Sequence, residues 1–203
     1  MTPREIEEKS MAIIESELHA PLPEETAPVV KRVIHATADF SFAESLRFTP
    51  GVVPLMRDML SRGASVVTDT QMALAGIRKP SLERAGAKAF CFVADEDVAR
   101  EAEKRGVTRS SVAMERALLL PAPRLLVCGN APTFLLSLLE RRPLPAETAV
   151  IGVPVGFVNV VEAKERILNS GLPCIVALGR RGGSTVAAAI VNALLYGMEG
   201  VRA

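Results

Sequence analysis

Residues 173–196 read PCIVALGRRGGSTVAAAIVNALLY. The run Pro173 to Leu178 is apolar at every position, so it keeps no polar face for solvent, as a half-exposed strand would. Gly179-Arg-Arg-Gly-Gly-Ser184 ends the run, and Ser184 to Tyr196 continues as an apolar helix. A short strand buried on both faces that feeds straight into a helix is the repeating unit of a parallel sheet covered on two sides.

The same unit recurs upstream. Apolar or β-branched runs fall at Ser65 to Thr68, Lys88 to Val93, Arg124 to Cys128 and Thr148 to Val153. Helical stretches separate them at Ser81 to Ala85, Asp97 to Arg105, Ser110 to Leu119, Pro132 to Leu139 and Asn159 to Asn169. The amino-terminal third is helical. Thr2, Pro3 and Glu5 form a capping box ahead of a helix with Ile6, Ile13 and Ile14 as its inward stripe and Ser10 on that face. A second helix spans Glu24 to His35, and a third runs from Gly51 to Ser61 and stops at Gly63. The expectation is one α/β domain over residues 1–203, with a mostly parallel five-stranded sheet covered by helices. Residues 1–63 form a helical extension packed on it.

Charge narrows the function. Lys plus Arg is 24 against 23 for Asp plus Glu, a net charge of +1, which provides no field for nucleic acid or an anionic membrane. Of those cations 18 are Arg, the side chain suited to bidentate carboxylate recognition. Cys91, Cys128 and Cys174 lie in apolar runs without CxxC spacing, which predicts buried, inert thiols in a reducing compartment. The opening MTPREIEEKS is charged, so no leader is expected, and Val186 to Tyr196 is too short to span a bilayer. A cytoplasmic protein is expected.

Ligands of open parallel sheets bind outside the carboxyl ends of the strands. Those ends read Asp69-Thr70, Ala94-Asp95, Gly129-Asn130-Ala-Pro-Thr133, Pro154-Val-Gly-Phe157 and Gly179-Arg180-Arg-Gly182-Gly183-Ser184. Small residues there let backbone approach a ligand. The last loop sets free N–H groups and a helix dipole against phosphate or carboxylate, yet it is neither GxxxxGK[ST] nor GxGxxG. Of two histidines, His19 follows the first helix as a solvated dipole partner. His35 ends an apolar helix and shares a face with Arg32, either as a core residue or as an acid–base group. Two histidines and three buried thiols do not support a metal site. Thr108-Arg109-Ser110 places a guanidinium at a helix start, and Glu162 and Lys164 do not face each other on theirs.

These segments, in order, carry a resemblance. Lys9-Ser10, Arg32-Val-Ile-His35, Asp69-Thr-Gln-Met72 with Gly76, Thr108-Arg-Ser110 and Gly129-Asn-Ala-Pro-Thr133 come first. Gly152-Val-Pro-Val-Gly-Phe-Val158, Glu162-Ala-Lys164 and Gly179-Arg-Arg-Gly-Gly-Ser184 complete the set. Together, from Pro3 to Tyr196, they resemble the precorrin-8X methylmutase family of cobalamin biosynthesis. His35-Ala-Thr-Ala-Asp39 is more similar to its cobalt-precorrin-8 branch, while whether the substrate carries cobalt stays open. Ala163 departs from the serine of that pattern. The resemblance implies an isomerase that moves a methyl group from C11 to C12 of a tetrapyrrole, as a homodimer, with no methyl donor, nucleotide or other cofactor.

It further implies His35 as the catalytic acid–base residue, with Ser10 and Arg32 as the nearest substrate contacts. The remaining substrate-binding candidates are Asp69, Thr70, Arg109, Ser110, Asn130, Thr133, Phe157, Lys164, Arg180, Gly182, Gly183 and Ser184. A methyl shift in a conjugated ring needs no nucleophile, and one protic imidazole suits it. The ring's acetate and propionate fringe suits scattered cations, with Arg32, Arg109, Arg180 and Lys164 expected on the rim. Phe157 and Met72 are flat contacts or core residues. Two rivals remain: a non-catalytic corrinoid-binding or handover protein, and an α/β enzyme for a phosphorylated ligand.

Overall fold

The structure is a computed structural model and describes residues 1–141 and 143–198. In chain order its elements are α1 (Pro3–Glu17), α2 (Ala27–Thr37), α3 (Phe42–Ser45), β1 (Leu46–Phe48), α4 (Val52–Ser61), β2 (Ser65–Thr68), α5 (Gln71–Gly76), α6 (Lys79–Arg84) and β3 (Lys88–Phe90). Next come α7 (Glu96–Arg105), α8 (Arg109–Ala117), β4 (Arg124–Cys128), α9 (Pro132–Leu139), β5 (Thr148–Gly152), α10 (Val160–Leu168), β6 (Cys174–Ala177) and α11 (Ser184–Tyr196). The sheet order is β1-β6-β5-β4-β2-β3.

The five expected strands are present and run parallel to their neighbours. A sixth, β1, joins the edge antiparallel to β6, with Leu46 opposite Ala177 and Phe48 opposite Ile175. At three residues it is too short to show a period, so the amino-terminal segment reads as purely helical although it contributes an edge strand. The one-turn helix α3 and α5, which consists of Gln71–Gly76, escape sequence reading for the same reason.

Strand residues alternate between two cores. Val66, Leu125, Val127, Ile151 and Ile175 pack with α2, α4 and α11 on one face. Val67, Leu126, Cys128, Val150 and Val176 pack with α8, α9 and α10 on the other. Helix α11 is apolar around most of its circumference because it lies between α2 and the sheet, and its residues from Val186 to Leu195 are almost all buried. Helix α1 has the expected capping box, in which Thr2 Oγ1 accepts from Glu5 N and Glu5 accepts from Thr2 N. Its inward stripe differs from expectation. Ile6 and Ile13 are half exposed, whereas Met11, Ile14 and Leu18, at i, i+3 and i+7, face the core. The stripe is turned because α1 rests on α2 through one narrow face, and the spacing of isoleucines alone did not choose it. No helix among the described residues is long and apolar enough to cross a membrane.

Candidate active site

Helix α2 carries Arg32 and His35 one turn apart. It ends because Ala38 adopts a left-handed conformation, φ 52°, and its N–H bonds to Ile34 O. That stop leaves His35 exposed at the carboxyl end of the helix, so it is not a core histidine. His35 and Arg32 line a cleft of about 380 Å³ with Met72, Ser184, Thr185 and Tyr196. Across it, Thr70 Oγ1 lies 2.7 Å from Ser184 Oγ, joining the starts of α5 and α11. The Arg32 guanidinium is paired with Glu7 of α1 and sits 5.0 Å above the Tyr196 ring. It is shared with a second, more polar hollow of about 660 Å³ lined by Arg4, Glu7, Arg78 and Tyr196.

Two expected ligand contacts are instead built into the floor. Asp69 is 1% exposed, and its carboxylate accepts from Gly129 N at 2.8 Å and from Asn130 N and Ala131 N, each at 2.7 Å. An acceptor with two oxygens taken by three N–H groups has little capacity left for a ligand. It shapes the turn after β4. Lys164, expected on the rim, is fully buried, and its Nζ donates to Gly179 O at 2.8 Å and Arg181 O at 2.7 Å. The helix pattern puts Lys164 on the same side of α10 as Val160 and Ile167, which sequence reading weighed too lightly. Glu162 stays on the solvent face.

The floor tolerates no side chain at two points. A Cβ on Gly129 would come within 2.8 Å of Ser184 Cα. On Gly182, which has φ +154°, it would come within 2.1 Å of Val153 O. These glycines let the loops after β4, β5 and β6 stack on one another.

The other expected residues divide between the two faces of the sheet edge. Ser184, Thr70, Arg32 and His35 gather on the α2–α11 face. Thr108 Oγ1 caps α8 and lies 3.2 Å from Thr133 Oγ1, so Arg109 and Thr133 gather on the opposite, α8–α9 face. Ser110 is turned inward and buried, which withdraws it from the rim. Asn130 is exposed on the turn held by Asp69. Between the faces, Arg180 stacks over Phe157 at 5.3 Å, and Phe157 and Met72 are 81% and 70% exposed, so neither belongs to the core. Ser10 lies one turn beyond Glu7 on α1, but its hydroxyl donates to Ile6 O at 2.8 Å and it does not line the cleft.

Sequence reading missed Thr185, Asn192 and Tyr196, all on the carboxyl-terminal helix. Asn192 accepts from Arg78 N and donates to Gly76 O, tying α5 to α11. A lone polar residue in an apolar helix was the available signal. Arg181 pairs with Asp39 at 2.8 Å and meets Ser41, which fixes the α2–α3 turn to the glycine-rich loop. The Ser41 hydroxyl, aided by the Arg181 guanidinium, holds the Asp39 carboxyl below its usual range. The Cys91, Cys128 and Cys174 thiols are buried and unpaired in disulfides, and burial raises the pKa of each, Cys174 to about 11. Among the described residues no cluster of three or more His, Cys, Asp or Glu side chains is arranged to hold a metal.

An apolar hollow of about 560 Å³ between α5, α6 and β3 is larger than the His35 cleft. Its lysines, Lys79 and Lys88, begin α6 and β3, away from the strand ends where the loops converge. His35 and Arg32 line the cleft on the other flank of α5.

An exposed imidazole beside a guanidinium lies above stacked glycine loops at the carboxyl edge of a parallel sheet, the edge where ligands of α/β folds bind. Residues 5–197 match the family model for precorrin-8X methylmutase. The chain is 46% identical to the cobalt-precorrin-8 methylmutase of Salmonella typhimurium over 83% of its own length and 80% of that protein. It is 39% identical to the cobalt-precorrin-8 methylmutase of Leptospira interrogans over 95% of its length and 92% of that protein. The crystal structure of precorrin-8X methylmutase from Thermus thermophilus superposes with a TM-score of 0.85 at 36% identity, covering 94% of this chain and 95% of that one. The chain belongs to the precorrin-8X methylmutase family, and it is an isomerase of cobalamin biosynthesis that moves a methyl group on a precorrin.

Proposed function

We propose that the chain moves the methyl group from C11 to C12 of precorrin-8 or its cobalt form, with His35 as the acid that protonates the macrocycle. The C11–methyl bond breaks and the C12–methyl bond forms within one molecule, so no group leaves and none is supplied. A proton from the imidazole, or a hydrogen bond from it, stabilises the shifted electron distribution. Such a group contributes on the order of 10²–10⁴-fold. The observation that carries this reading is that His35 is exposed at the end of α2 and shares its cleft with Arg32 and the start of α11.

The placement of the cations supports a disc lying across the sheet edge. Arg32 stands on one face, Arg109 on the other and Arg180 between them, so carboxylates around one rim meet separate guanidiniums. A cleft of about 380 Å³ is small for a whole macrocycle. The exposed Met72, Phe157 and Val158 are apolar surface of the kind a second subunit would cover. We therefore assign the working unit as a homodimer that closes over the ring. Buried free thiols support a cytoplasmic site of action.

The test is His35→Ala with precorrin-8 and its cobalt form as parallel substrates. Turnover should vanish while corrinoid affinity stays within tenfold, and retained turnover removes His35 from the chemistry. Arg32→Ala should chiefly raise KM. A loss confined to kcat would contradict its role as a carboxylate contact.

A further inference from the structure

We propose that Lys164 is a positioning residue, which holds the Gly179–Gly183 loop in the one conformation that receives a substrate carboxylate. This rests on the methylmutase reading of the site. Lys164 never touches the substrate, because it is fully buried in α10 beneath the loop. Its ammonium bonds to the carbonyls on either side of Arg180, those of Gly179 and Arg181. The carbonyl of Arg180 itself accepts from Gly156 N at 3.2 Å. Three consecutive carbonyls are thus drawn toward the protein.

In a trans peptide the N–H points opposite to the C=O of the same plane. The carbonyls of Gly179 and Arg181 face Lys164 and that of Arg180 faces Gly156, so the N–H groups of Arg180 and Gly182 point away from Lys164 and that of Arg181 away from Gly156. Among the described residues none of these three N–H groups has an acceptor. N–H groups left without an acceptor just ahead of the start of α11 are donors for a substrate carboxylate. Left to itself the loop would not hold this shape. Gly179, Gly182 and Gly183 all have positive φ, and glycine has the most conformational freedom to lose on ordering. The ammonium supplies the rigidity that three glycines remove from the loop, and it also sets the Cα from which Arg180 reaches out over Phe157.

A neutral donor would bridge the same carbonyls less strongly, since charge-assisted hydrogen bonds are the stronger kind. Burial brings the Lys164 pKa down to about 8, and Cys128 opposes the fall. The other charged or titratable groups around it are Asp69 beside Cys128, Cys174 on β6, Arg180 and Arg181 in the loop, and Glu162 and Glu165 on its own helix.

The experiment compares wild type, Lys164→Met, Arg180→Ala and the double variant by steady-state turnover of precorrin-8 and by calorimetric binding of hydrogenobyrinate. Lys164→Met should raise KM and product Kd about tenfold and lower kcat less than threefold. The double variant should bind little worse than either single one, because both remove the same presentation of the loop. Fully additive losses, or a fall in kcat at unchanged KM, would overturn the proposal. If Lys164→Met does not fold, Lys164→Gln, which keeps neutral N–H donors, takes its place and should bind the product more weakly than wild type. Wild-type product affinity should also weaken as pH rises through about 8. An affinity that stays level across that range, or a glutamine variant that binds like wild type, counts against the role. Wild-type protein that neither binds nor converts the corrinoid refutes the methylmutase reading itself. Loss of the Lys164 effect alone leaves that reading standing.

Discussion

Replacing Asp69 with asparagine exchanges one carboxylate oxygen for an NH2 group and removes the negative charge from among three N–H donors. One carboxylate oxygen accepts from Asn130 N and Ala131 N, the other from Gly129 N. An asparagine keeping its carbonyl toward Asn130 and Ala131 retains two bonds, weakened by loss of charge, and sets its NH2 against the Gly129 N–H. A hydrogen bond to a charged group contributes roughly 1.5–3 kcal/mol, and an unsatisfied buried donor costs roughly 1–3 kcal/mol. Losing one bond and weakening two therefore gives a cost of about 2–4 kcal/mol for Asp69→Asn. Asp69→Ala abandons all three donors and should cost about 4–6 kcal/mol, a large part of the roughly 5–15 kcal/mol that a domain has in total. Urea denaturation followed by circular dichroism measures both, with an unchanged slope confirming that the midpoint shift is a stability change. The same variants should bind hydrogenobyrinate less well, since Gly129 rests against Ser184 at the mouth of the cleft. An Asp69→Asn protein within about 0.5 kcal/mol of wild type would refute the view that this carboxylate organises the turn.

The floor of the site sets two further outcomes. Gly182→Ala drives a methyl into Val153 O at a backbone angle that alanine rarely adopts, so thermal unfolding should show a loss of at least about 2 kcal/mol together with loss of corrinoid binding. Lys164 sets a pH dependence whose sign is fixed by its depressed pKa, about 8 folded against 10.5 for an ordinary lysine. The unfolded chain binds more protons between those values, so this group makes wild-type stability rise with pH across about 8 to 10.5, by up to about 3 kcal/mol. The raised thiols of Cys128 and Cys174 act in the opposite direction. The diagnostic quantity is therefore the difference in slope between wild type and Lys164→Met, which should be positive over that interval in chemical denaturation at stepped pH.

The sequence alone determined the doubly covered parallel sheet, because five apolar runs interrupted by helical periods leave no other way to bury both strand faces. It placed the glycines and polar residues of the loops at the strand ends, because they concentrate where each run stops. It also identified His35 and Arg32 as neighbours, since three residues on a helix is a local distance. Local chemistry could not say which charged residues are buried. Asp69 and Lys164 have the spacing of rim groups and are buried staples in space, because their partners are backbone atoms of Gly129 to Ala131 and of Gly179 and Arg181. Only tertiary structure decided that, along with the antiparallel strand at Leu46–Phe48 and the joining of Tyr196 to Arg32. A hydrogen bond between residues 15 to 62 positions apart leaves no periodic trace in the chain, whereas burial of a strand or a helix face does.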